Sequence, residues 1–117
     1  MEAIQYIHID ILNNKNNEFI YTKQNDNKRK VVFMFTKDGK VINLDNATVE
    51  FVIKKFDGSV IRYELNTTDT TALLYLTNEI TNTPGLLPYQ VTLTDTDNGS
   101  IFSTVTSYVY CEPEIIT

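Results

Sequence analysis

Cysteine and histidine each occur once in this 117-residue chain and tryptophan never, and each scarcity closes a line of chemistry. A lone Cys111 can form no internal disulfide and cannot join a second thiolate around a metal. A lone His8 leaves any zinc ion dependent on distant carboxylates or on Cys111. Without Trp, a sugar-stacking platform has to come from tyrosines such as Tyr63, Tyr75, Tyr108 or Tyr110. Most of these lie in strand-like stretches, so core packing is their expected role.

Positive charge is scarce in one half only. Through Lys40 there are seven Lys/Arg against five Asp/Glu; from Val41 onward there are three against ten, and none of the cations follows Arg62. Nucleic-acid binding needs clustered cations to displace counterions from phosphates, so no nucleic-acid partner is expected. The single basic cluster, Lys28-Arg29-Lys30, precedes the hydrophobic run 31–35 and reads as a charged gatekeeper. No stretch approaches the roughly 18 apolar residues of a membrane span. The opening MEAIQYIHIDIL carries Glu2, His8 and Asp10 and lacks a basic start, unlike a signal peptide.

Reaction motifs are missing as well. DTDNGS at 95–100 suggests calcium, but an EF-hand needs Asp or Asn, Gly and Glu at its fifth, sixth and twelfth positions, where this chain has Gly99, Ser100 and Thr106. No G-x-S-x-G elbow accompanies Ser100, Ser103 or Ser107, and nothing local activates Cys111 as a partner for His8. Asp-Thr at 69 and 95 is not followed by Gly, and no Gly-rich phosphate loop occurs. Paired acids abound, but tight hairpins leave few loops able to enclose a sugar. The sequons at Asn46, Asn66 and Asn98 are what an Asn- and Thr-rich chain produces by chance. The expectation is a non-enzyme with no catalytic residue, cofactor or metal.

What the chain has in abundance is alternation with period two. Ile7, Ile9 and Ile11 share a face opposite Tyr6, His8 and Asp10; Val31, Phe33 and Phe35 share another. Phe19-Ile20-Tyr21 makes a short strand, Ala47–Ile53 a long one, and Ala72–Leu76 one with two apolar faces. Residues 76–80 allow a helical turn too short to matter. LLPYQVTLT places Tyr89, Val91 and Leu93 together, and SIFSTVTSYVY reads as one closing strand. Between runs, Asp38-Gly39, Asp57-Gly58 and Asn98-Gly99 are hairpin turns, since Asp-Gly and Asn-Gly supply the positive φ that such turns require. The predicted fold is all-β, an antiparallel immunoglobulin-like β-sandwich of about seven to nine strands, with a small barrel as alternative. The whole of 1–117 is expected to form one domain, with 1–17 as an N-terminal strand and arm.

VVFMFTKDGKVINLDNATVEFVIKKFDGSVI and PGLLPYQVTLTDTDNGSIFSTVTSYVY together carry an ordered pattern: Lys37, Asp38, Gly39, Leu44, Ala47, Lys54, Asp57, Gly58, Gly85, Tyr89 and Gly99. Over residues 18–110 this resembles the N-terminal domain of baseplate upper proteins from tailed phages and prophages of Gram-positive bacteria. The resemblance implies a structural adaptor made in the host cytoplasm and built into the virion's tail tip. Its partners would be other baseplate or tail proteins, including receptor-binding proteins, with homo-oligomerisation in the particle, no membrane, and cell-wall glycan met only indirectly. Ile7, Ile9 and Ile11, outside the doubled hairpin unit, are the candidate assembly strand, and a chain lacking residues 1–12 is expected to stay folded. A small carbohydrate-binding or immunoglobulin-like adhesin module is the alternative function.

Overall fold

The computed structural model describes residues 3–12, 18–26, 29–104 and 106–115. Among them run β1 (Ile4–Asp10), β2 (Ile20–Lys23), β3 (Lys30–Lys37), β4 (Lys40–Val41), β5 (Ala47–Lys54), β6 (Val60–Glu64), β7 (Asn66–Thr67), β8 (Ala72–Tyr75), helix α1 (Asn78–Thr81), β9 (Gly85–Asp95), β10 (Ile101–Ser103) and β11 (Ser107–Glu112). They form two sheets. The first has the order β1-β3-β8-β7 with β4 added to β3; the second has the order β2-β11-β9-β5-β6 with β10 added to β9.

Alternation fixes which side of each strand meets the other sheet. Ile7 and Ile9 of β1, Val31, Phe33 and Phe35 of β3, and Val49, Phe51 and Ile53 of β5 are fully buried, as are Leu87, Tyr89 and Val91 of β9. Burial of each such side chain stabilises the fold by about 1.5–3 kcal/mol relative to exposure. The sheets are joined through rings: Phe33 meets Phe51 at 6.5 Å, and Phe51 stacks on Tyr89 at 5.3 Å. The result is the all-β sandwich that the alternation predicts.

Three features depart from the expected pattern. First, not every pairing is antiparallel: β1 runs parallel to β3 from Ile4↔Lys30 to Asp10↔Thr36, and β2 runs parallel to β11. Parallel neighbours need a crossover between them, and each of these edge strands is separated in sequence from its partner. Second, the closing segment is two strands. Ser103 pairs with Thr92 but Ser107 pairs with Tyr89, a slip of one residue. At the slip, Thr104 is buried, its N–H donates to Val91 O (3.0 Å), and its Oγ1 accepts from Val91 N (3.0 Å). The threonine hydroxyl replaces a ladder carbonyl and makes the bulge tolerable.

Third, α1 matters despite its length. Ile80 and Thr81 are fully buried, and Thr81 Oγ1 donates to Asp26 O (2.6 Å) while Asn25 N donates to Thr81 O (2.9 Å). At its C-terminal end, Lys55 Nζ donates to Glu79 O (2.6 Å) and to Asn82 Oδ1 (2.7 Å). A cation on terminal carbonyls is the favourable sense of the helix dipole.

The burial of β1 changes the reading of its isoleucines. Ile7 and Ile9 have no exposed surface and Ile11 packs against the core, so these side chains face inward and not toward a partner. Without residues 1–12 the chain loses both isoleucines and the entire β1–β3 ladder. That truncation therefore removes part of the core, which argues against the expectation that the domain survives it.

Candidate interaction surfaces

The three turn dipeptides sit in three different loops. Asp38 (φ 53°) and Gly39 (φ 73°) are the two residues between Lys37 and Lys40, which pair directly, so both adopt the left-handed geometry of a type I′ link. Gly58 has φ 88°, Lys55 N donates to Ser59 O (2.8 Å), and Gly58 N donates to Lys55 O (3.0 Å). Asp57 is not left-handed; its carboxylate accepts from Ser59 N (2.8 Å) and Ser59 Oγ (2.6 Å). Those bonds, the hydroxyl's first, hold the Asp57 carboxyl below the ordinary range. Gly99 (φ 73°) closes a four-residue loop by donating to Asp95 O (2.9 Å). The carboxylates and Asn98 are spent on such local turns: Asp95 Oδ1 accepts from Asp97 N and Asn98 Oδ1 from Ser100 N.

The second sheet's outer face carries an aromatic cluster at its β2 edge. Tyr110 pairs with Tyr21 on one side and Leu86 on the other, and Tyr108 pairs with Pro88. Phe19 lies 5.6 Å from Tyr108 and 6.3 Å from Tyr21, and Tyr21 lies 6.4 Å from Tyr110, with Tyr108 and Tyr110 tilted by about 60° to their neighbours. Tyr21 is 59% exposed, and Leu86, Tyr108 and Tyr110 are exposed too. Toward β6 the same face dips into a concavity of about 270 Å³ lined by Val52, Val60 and Pro88 with Lys54, Arg62 and Gln90. Beyond it, Phe56 is 61% exposed with its ring against Gly85.

The first sheet's outer face is apolar as well. Tyr6 pairs with Val32, which pairs with Leu73; Ile4 pairs with Lys30, which pairs with Tyr75. Tyr6 is 60% exposed, and Lys30 Nζ lies 5.4 Å from the centre of the Tyr75 ring. Exposure of Tyr75, Tyr108 and Tyr110 overturns the expected core role; of the four named tyrosines, only Tyr63 is half-buried against the core, with its hydroxyl donating to Glu79 (2.8 Å) and paired with Thr77 (3.1 Å). Burial, foremost, raises its pKa. What could have revealed the outward tyrosines was present: Tyr108 and Tyr110 alternate with buried Val109 and Cys111.

The possible reaction groups stay apart. Cys111 is buried in the second sheet, its thiol donates to Thr81 O (3.5 Å), and burial raises its pKa. His8 points to solvent from the first sheet. Ser107 Oγ donates to Glu18 O (2.8 Å), and Ser103 Oγ bonds the Thr92 hydroxyl. Among the described residues, no three His, Cys, Asp or Glu are placed to hold a metal ion, and no helix is long and apolar enough to cross a membrane. The geometry offers surfaces for contact and no assembled reaction centre among these groups.

No family model matches the sequence, and no curated protein matches it. In fold, the chain is similar to the solved N-terminal domain of phage TP901-1 ORF48, with a TM-score of 0.71 at 15% identity, covering 96% of this chain and 99% of that one. At that identity the likeness carries the fold alone.

Proposed function

We propose that this protein is a structural component of a phage tail baseplate, an adaptor that works through protein–protein contacts. Two lines support the reading: the ordered turn-and-strand pattern resembling baseplate upper proteins, and the fold likeness over nearly the whole chain to a phage protein domain. The observation that carries the contact role is the pair of outer faces bearing Tyr6 and Tyr75 on one sheet and Tyr21, Tyr108 and Tyr110 on the other. Exposed aromatic clusters of this kind mark interfaces, where rings supply large, rigid contact area at small entropic cost.

In this reading the chain is made in the bacterial host cytoplasm, joins the tail tip beside other baseplate proteins, recurs in several copies, and helps to display receptor-binding proteins. Cell-wall glycan is met by those partners. A sugar-binding module is disfavoured by the ring geometry: Phe19, Tyr21, Tyr108 and Tyr110 lean on one another at tilts of 35–61°, which breaks up the open flat faces a pyranose stacks on.

Mass spectrometry of particles purified from the native phage tests the proposal. The wild-type chain should be present in them, and Tyr21→Ser/Tyr110→Ser should deplete it while the isolated variant melts as the wild type does. Full incorporation of the double variant would remove the second sheet's face from the contact, and absence of the wild-type chain would remove the proposal.

A further inference from the structure

We infer that β6 is a self-complementary edge through which two copies of this chain join their second sheets. The inference stands on the edge itself and is independent of the baseplate reading. β6 is the outermost strand of its sheet. Its pairing with β5 is bonded through odd-numbered residues, as Leu65 N donating to Val49 O (2.8 Å) and Lys55 N donating to Ser59 O (2.8 Å) fix the parity. Antiparallel strands alternate in this respect, so Val60, Arg62 and Glu64 direct their backbone N–H and C=O groups away from the sheet.

Two copies can meet along those groups about a two-fold axis in several registers, of which only the one centred on Tyr63 sets opposite charges directly across the ladder. An axis through Arg62 sets that guanidinium against its own copy. An axis through Tyr63 sets Arg62 opposite the second copy's Glu64, and by symmetry the reverse, with reciprocal backbone bonds at both pairs. Charge selects the second register, because opposite charges directly across a ladder stabilise it and like charges destabilise it.

Glu64 has a reason to take the new partner. It stands directly across from Glu50, and Arg62 is committed to Glu50 at 2.9 Å. Among the described residues Glu64 has no cation of its own. Its carboxylate is therefore one of a like-charged pair on an open edge, and the second copy's Arg62, which holds its own Glu50 through one nitrogen only, has guanidinium donors left to bridge to it. Charged edges usually repel further strands; alternating signs two residues apart turn that protection into a matched pair.

Sedimentation equilibrium of the full chain over a range of concentrations and salt tests this. The wild type should show a concentration-dependent dimer that weakens as salt rises. Arg62→Glu and Glu64→Arg should each weaken it about tenfold or more, replacing two attractions with two repulsions. The double swap should restore it, with all three variants retaining a cooperative melt because both side chains are exposed. A wild type that stays monomeric, single variants that associate like the wild type, or a swap that fails to recover the dimer would each overturn the inference.

Discussion

The two Asp-Gly turns are the same dipeptide put to different uses. Asp38-Gly39 is a bare two-residue link ending in a two-residue strand, and a Cβ on Gly39 would meet nothing within 4 Å. Asp57-Gly58 belongs to a longer loop whose other residues make distant contacts: Lys55 binds the carbonyl end of α1, and Phe56 lies on Gly85 at the start of β9. Turn chemistry reads the same in both; only the loop length and the register beyond it decide whether Asp takes a positive φ. The lesson is that a dipeptide signals a reversal, while its weight in the fold comes from what the flanking residues touch.

Gly85 is where the second turn can be broken hardest. Its φ is 122°, and a Cβ there would lie 2.8 Å from the Phe56 ring. Gly85→Val is expected to cost about 2–3 kcal/mol by chemical denaturation, through backbone strain together with displacement of Phe56. Next, Gly58→Val should cost about 2 kcal/mol and Gly39→Val about 1 kcal/mol, both from a left-handed φ that Val resists. The larger figure belongs to the loop that also positions Lys55 and Phe56, and equal losses at the two glycines would erase the contrast drawn between the turns.

Lys55→Met removes the cation from the helix end and should cost about 1 kcal/mol, whereas Lys37→Met beside the first turn should leave the melt unchanged. Smallest of all is the acid response. Because the folded state lowers the Asp57 pKa, its contribution is present above the ordinary carboxylate value and fades as pH falls through the lowered one. Asp57→Asn should therefore flatten the acid limb of the stability profile slightly, as measured by denaturation across acid pH.

Period-two alternation made most of the sandwich legible, because Val49, Phe51 and Ile53 or Tyr89 and Val91 state their inward faces directly. Alternation carries no information about neighbour direction, so nothing local announced that β1 and β2 would pair in parallel with β3 and β11. Nor did it fix which face is covered. Ile7, Ile9 and Ile11 have the pattern of a strand that buries one side, and a partner or the chain's own core satisfies that pattern equally; the long-range pairing with β3 decides for the core. The outward tyrosines were hidden by a different bias, since aromatic residues in strands are commonly interior and a single chain offers no count of how many faces it leaves open. The bulge at Thr104 needed the register of β9 on both sides to be visible.

Gold-labelled antibody against this chain, viewed on intact phage particles by electron microscopy, tests the central claim most directly. The account predicts label at the tail tip, lost when Tyr21 and Tyr110 are both replaced by Ser. Label confined to unassembled protein, with none on the particles, would contradict it.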